Sequence, residues 1–229
     1  MRYSPAAMRT LYHHPVHSLS RIARVMLAEK GIPFDSVIEK PWERRTDFLK
    51  LNPAGEVPVL VEEDGTVVAG GLAVLEYLEE AYPDVVLLPR EVAHRAEVRR
   101  LVDWFAYKFA REVTENLVGE KLIKRLSGQG HPVPQAIRAG LANIHYHLDY
   151  IAFLSERRPW LAGSTFTLAD IAAATELSCL DYIDNVPWDK HPEAKDWYAR
   201  IKSRPSFRAL LADNIAGCPP SKHYADLDF

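Results

Sequence analysis

The chain has 229 residues, 48% of them hydrophobic, and a formal net charge of −3. That is enough apolar material for one large core or two small ones, and a near balance of charge with no long basic stripe argues against nucleic acid as a partner. No apolar run approaches the roughly 18 residues of a membrane span, so no direct membrane insertion is expected; two cysteines, Cys179 and Cys218, suit a reducing cytoplasm better than a disulfide framework.

Residues 1–7, "MRYSPAA", lack the charged and apolar regions of a signal peptide and read as a leader, with regular structure beginning at Arg9. "RTLYHH" predicts a short strand. From Ser20 to Gly31, Ile22, Val25, Met26, Leu27 and Ala28 give a helical stripe that Gly31 stops. "PFDSVIE" alternates as a second strand, parallel to the first if the helix is a crossover. "PVLVEEDGTVVA" is a hairpin about Asp64–Gly65. Leu72, Val74, Leu75 and Leu78 then mark a helical face. The order βαβ, then ββα, predicts an α/β unit of thioredoxin type. "YPDVVLLPREVAHR" reads as a linker.

Everything beyond it is helical. Leu101, Val102, Phe105, Phe109, Val113 and Leu117 predict one long helix, broken by "SGQGHPVP". Ile137, Leu141, Ile144, Leu148 and Ile151 make a second stripe. Thr167 to Asp170 is a capping signature that opens a third, largely apolar helix. Trp197, Tyr198 and Ile201 mark a fourth. His13, His14 and His17 crowd one stretch, but adjacent strand residues face opposite ways, so no metal site is expected. His145 and His147 read as surface or satisfied core residues.

In this order, "LYHHPVHSLSRIARVMLAEKGIPF", "LNPAGEVPVL", "LEYLEEAYP", "GSTFTLADIAA" and "RPSF" resemble the glutathione transferase superfamily across nearly the whole chain. The resemblance implies a thioredoxin-like α/β domain at residues 8–87, an all-α domain at 92–215 and a tail at 216–229, usually paired as a homodimer. It also implies a cis-proline turn at Val57–Pro58, whose backbone would hold the cysteinyl part of glutathione. Thr167 and Asp170 match that family's capping box.

Two grips on glutathione are implied, and they fare differently. Ser18, with His17 beside it, matches the hydroxyl that stabilises a thiolate at a helix N-terminus; Ser18 and Ser20 also read as simple helix caps. At the second grip, an acid and a serine are expected, and Gly70 and Gly71 stand there. Gly71 keeps its N–H, and a helix N-terminus attracts a carboxylate unaided. Losing two bonds to charged groups, each worth about 1.5–3 kcal/mol, removes about two orders of magnitude in affinity or more. That favours a protein without catalytic residues or cofactor. The enzymatic alternative is a glutathione-dependent transferase or reductase acting on a small electrophile, with Ser18, Val57, Pro58 and Gly71 as its ligand contacts.

The remaining signals concern surfaces. Trp42, in "EKPWERR", reads equally as loop packing or as an aromatic anchor flanked by arginines, with Arg44, Arg45 and Arg21 as candidate positive contacts. The tail "CPPSKHYADLDF" alternates Tyr224, Leu227 and Phe229 with Asp226 and Asp228, as a self-packing segment or a linear docking motif does. The double glycine and this ending together resemble a bacterial cell-division branch of the superfamily, whose members bind FtsZ filaments and promote their curvature and constriction. The implied partners are FtsZ polymer and other cell-division proteins, met in the cytoplasm at the division site, by Trp42, Arg44, Tyr224, Asp226, Asp228 and Phe229.

Overall fold

The structure, a computed structural model, describes residues 8–227. The chain divides into two compact units, the first ending at Val85 and the second beginning at Val86.

In the first unit, β1 (Thr10–His13), α1 (Ser18–Glu29) and β2 (Asp35–Ile38) form the expected crossover, with Thr10 opposite Asp35 in parallel register. The hairpin of β3 (Val59–Val61) and β4 (Val67–Ala69) completes a four-stranded sheet of order β2-β1-β3-β4, with β3 antiparallel to β1. Its turn closes as the Asp-Gly pair dictates: the Thr66 N–H donates to Asp64 Oδ1 at 2.8 Å, and the Glu62 N–H to the Thr66 carbonyl at 2.9 Å. Helix α3 (Gly71–Ala81) packs beside α1.

Two features of this unit differ from the sequence expectation. Leu72 is 53% exposed: it stands in the first turn of the helix, about 200° from Val74 and about 120° from Leu78, while Val74, Leu75 and Leu78 are buried. Between β2 and β3 a one-turn helix (Pro41–Glu43) and α2 (Thr46–Leu51) appear without a periodic signal. Six residues are too few to show a period. Phe48 of α2 nonetheless packs with Val57 and Val59, and so supports the turn at Val57–Pro58 from below.

The second unit is helical. Helix α4 (Val92–Asp103) runs without a break into Trp104–Ile123 and then α5 (Lys124–Ser127). The middle stretch is wound wider than an α-helix, and Lys124 N–H at its end donates to the Gly119 carbonyl, five residues back. Its buried residues Phe105, Phe109, Val113 and Leu117 recur every fourth position. In an α-helix that spacing drifts about 40° per step, and the buried face is widened by Ala106, Thr114, Val118 and Leu122 beside this row.

Helix α6 (Pro134–Ser155) packs on this segment, and α7 (Leu168–Tyr182) is buried along its whole length. Helix α8 (Pro192–Lys202) packs on α6 and α7, and α9 (Arg208–Leu211) follows. Leu141, expected in the α6 stripe, is 42% exposed: the buried face is built instead from Gly140, Ile144, His147, Leu148, Ile151 and Leu154. His147 is a satisfied core residue. It receives the Trp104 indole N–H at 3.1 Å and meets Glu112 at 3.1 Å, and burial lowers its pKa.

Candidate functional site

At the start of α1 the cap is His17, not a serine. Its Nδ1 accepts the Ser20 N–H at 3.3 Å and lies 3.2 Å from Ser20 Oγ. Both contacts require an unprotonated nitrogen, and burial holds the imidazole pKa down to about 4. Ser18, the first helical residue, is buried and takes no part in the cap. Its hydroxyl therefore sits where a helix N-terminus favours a thiolate. Arg21, expected as a surface charge, is instead fully buried, and its Nε donates to the Pro15 carbonyl at 2.5 Å, bracing the loop before the helix.

The Val57–Pro58 bond is cis. Pairing of β3 begins at Val59, so the Val57 backbone stands outside the ladder, while the Pro58 carbonyl accepts the Gly70 N–H at 3.2 Å. Gly70 caps α3 with φ +98° and no side-chain bond. An L-residue there is strained.

Gly71 is closed in another way. A Cβ at this position would lie 2.5 Å from Leu19 Cδ1 and 3.1 Å from both its Cβ and Cγ. Leu19 of α1 thus occupies the volume a residue-71 side chain would need. Sequence reasoning missed Leu19. The only available sign was a large apolar residue between two serines at a helix start.

The expected surface residues separate into exposed and buried ones. Trp42 is half-buried, with its ring edge-on to His14 at 5.1 Å. Arg44 is exposed in left-handed backbone conformation at φ 46°. Arg45 is held by the buried carboxylate of Glu39.

Tyr224, expected as a partner contact, instead packs on its own unit, as the self-packing reading of the tail has it. It is 0% exposed, its hydroxyl donates to the Leu210 carbonyl at 2.9 Å, and its ring packs edge-on against Tyr182. Around it the tail is tied to α7 and α8. Asp181, buried on α7, accepts the Trp188 indole N–H at 3.0 Å and meets His223 Nε2 at 3.0 Å. Buried Lys202 lies 3.5 Å from Asp181 and donates to the His223 carbonyl at 3.2 Å. Burial lowers the Lys202 pKa against the pull of Asp181. Neither Asp181 nor Lys202 was singled out from sequence, because nothing local joins residues 181, 202 and 223. Ala225 and Asp226 follow this anchor as exposed residues; Asp228, Phe229 and the leader 1–7 lie outside the described residues.

Comparison with known proteins agrees with this geometry. Residues 18–81 match the family model of the glutathione S-transferase N-terminal domain, and residues 143–205 that of the C-terminal domain. FtsZ-localized protein A of Caulobacter vibrioides is 46% identical, over 96% of this chain and 98% of its own. A glutathione S-transferase structure from Rhodospirillum rubrum superposes with a TM-score of 0.95 at 57% identity, covering 97% of this chain and 100% of that one. FzlA from C. crescentus superposes with a TM-score of 0.93 at 45% identity, again over 97% and 100%.

Proposed function

The chain belongs to the glutathione S-transferase family, and we propose that within it this chain is a non-catalytic member that binds FtsZ filaments and promotes their curvature and constriction. The observation that carries the reading is Leu19 lying 2.5 Å from where a Gly71 side chain would begin. Leu19, a half-buried residue of α1, thus stands against the place where a side chain of the second grip would begin. Similarity to FtsZ-localized protein A over nearly the full chain supplies the partner. The chain then acts in the cytoplasm at the division site, through Trp42, Arg44 and the tail beyond Tyr224. As a homodimer it would offer the same surface twice, and avidity would multiply a weak contact.

The test joins two measurements. Titration with reduced glutathione to about 10 mM gives no saturable heat, whereas saturation at or below about 1 mM, roughly −4 kcal/mol, overturns the non-catalytic reading. In co-sedimentation the chain pellets with FtsZ polymers. Trp42→Glu, and truncation after Asp226, which spares the anchor and the Asp226 N–H bond to the His223 carbonyl, each reduce the pelleted fraction. If both variants pellet like the parent, the assigned surface is wrong. An intact Ser18 at a helix N-terminus, together with a cis Val57–Pro58 bond in the same unit, is the observation that favours the enzymatic alternative. In that case Ser18→Ala abolishes turnover.

A further inference from the structure

The face of α6 turned away from the core carries a stripe of its own. At about 100° of helix per residue, Ala139, Ala142, Tyr150 and Phe153 all fall within about 40° of Tyr146, opposite the buried Ile144 and Ile151. Ala139 and Ala142 are exposed, Tyr146 is 58% and Phe153 49% exposed, and Tyr150 is half-buried.

The rings are fixed by their own neighbours. Trp104 lies 4.6 Å from the Tyr150 ring and 5.9 Å from that of Tyr146, with its indole N–H bound by His147. The Tyr150 hydroxyl accepts from Arg100 at 2.9 Å, and the Arg157 guanidinium lies 3.8 Å over Phe153. Side chains already fixed lose little freedom on docking, and Trp, Tyr and Arg are the residues of interface centres.

The order of the stripe points to its occupant. The N-terminal half is small, the C-terminal half aromatic, and Tyr146 stands between them. When a second copy of α6 lies antiparallel across a two-fold axis at Tyr146, positions equally far before and after that residue face each other. Phe153 then meets the partner's Ala139, and Tyr150 the partner's Ala142, a ring over a methyl group each time. Charge follows the same axis. Arg138 and Glu156 are both exposed and lie about 80° round from Tyr146 on one side of the stripe, at nearly equal distances before and after it. Arg138 has no bonded partner among the described residues, and Glu156 has only its exposed neighbour Arg157 at 3.4 Å. A partner of a single charge sign finds no such match, because Arg100, Lys108 and Arg157 along this face each sit beside an acid, Glu97, Glu112 and Glu156.

We propose that this face of α6 pairs with the same face of a second copy of the chain, antiparallel across a two-fold axis at Tyr146. This gives a face to the homodimer of the proposed function and rests on that part of it alone. From residue 138 to 156 the helix and its cap run about 27 Å, and with the adjoining helix the face is about 20 Å wide. Two copies then bury on the order of 1,000 Å², the low end for a specific contact, so a dimer that half-dissociates between about 1 and 50 µM is expected.

Sedimentation velocity on the full-length chain from about 0.5 to about 100 µM tests it. The parent passes from monomer to dimer over that range. Ala142→Lys, at an exposed helix position, fills the space that Tyr150 docks over and weakens the dimer at least about tenfold. Arg138→Glu and Glu156→Arg each set like charges together at both ends of the contact and weaken it about tenfold. Mixed in equal amounts, these two charge variants associate with each other about as tightly as the parent does with itself, because opposite charges then face at both ends. Within one chain the two positions lie about 27 Å apart, so only a contact between copies gives that rescue. Circular dichroism checks that each variant is folded. A parent that stays monomeric at about 100 µM, a dimer that Ala142→Lys leaves unchanged, or a mixture that fails to associate overturns the proposal. None of these results bears on FtsZ or glutathione binding.

Discussion

Helices α3 and α7 begin in opposite ways. At α7 one buried carboxylate gathers several donors: Asp170 accepts the Thr167 N–H at 3.0 Å, the Leu161 N–H at 2.8 Å and the Trp197 indole N–H at 3.3 Å. Burial raises the Asp170 pKa, and these donors oppose it. At α3 the cap is Gly70, with no side-chain bond, and the next residue is pressed against Leu19. One helix start serves the fold and is complete within the chain. The other is capped by glycine alone and packs closely on a neighbouring helix. Where a terminus holds up the core, its polar residues cannot be exchanged without leaving buried groups unpaired. Where it only held a ligand, the vacated volume can be refilled.

The sharpest way to test that contrast is Asp170→Ala. It strands three buried donors, each costing about 1–3 kcal/mol, and removes a cap. A loss of about 4 kcal/mol in chemical denaturation is expected, a large part of a typical domain's stability. A loss under about 1 kcal/mol would mean the α7 box is ornamental, and the contrast would fail.

Gly71→Ser comes next. The new Cβ overpacks against Leu19 and costs about 1–3 kcal/mol, with no gain in glutathione binding by calorimetry. Leu19→Ala combined with Gly71→Ser makes room for the hydroxyl, and the double variant is more stable than the sum of its single changes implies. Full additivity would mean that Leu19 and residue 71 do not compete for the same space.

How far the sequence reveals all this depends on the range of the forces involved. The hairpin was legible because Asp64–Gly65 encodes its own turn, and α7 because Thr167 and Asp170 lie within one helical turn of each other. The glycines at the α3 start were legible as residues. Their closure by Leu19 was not, since it depends on α1 packing against α3. Tyr224 failed for the same reason. Alternating aromatic and acidic residues describe a docking motif and a buried latch equally well, and only contacts with Leu210 and Tyr182 decide. The four-residue spacing of Phe105 to Leu117 is in plain view, but it marks a helix without showing that the helix is wound wide. Tyr224→Phe measures the latch alone: it removes the bond to the Leu210 carbonyl and should cost about 1 kcal/mol. Truncation after Asp226 should leave stability unchanged.

The α1 start offers the finest test, since there a titratable group does the capping. His17 is neutral in the fold, with its pKa lowered from 6.5 to about 4 by burial. The native state therefore binds fewer protons than the unfolded chain between those values. Stability from this group is fully present above pH 6.5 and is lost as pH falls toward 4. Because His17 is only half-buried, solvent screening limits the effect to about 1–2 kcal/mol. His147 and His191 also have lowered values and give slopes of the same sign, so the measurement must be a difference. His17→Asn keeps a strong capping side chain but cannot titrate. Denaturation midpoints for parent and variant should converge near pH 4.5 and separate above pH 6.5, with the parent gaining more stability over the interval. Parallel pH profiles would show that the His17 proton is not linked to folding, and the α1 cap would then be interchangeable with any neutral acceptor.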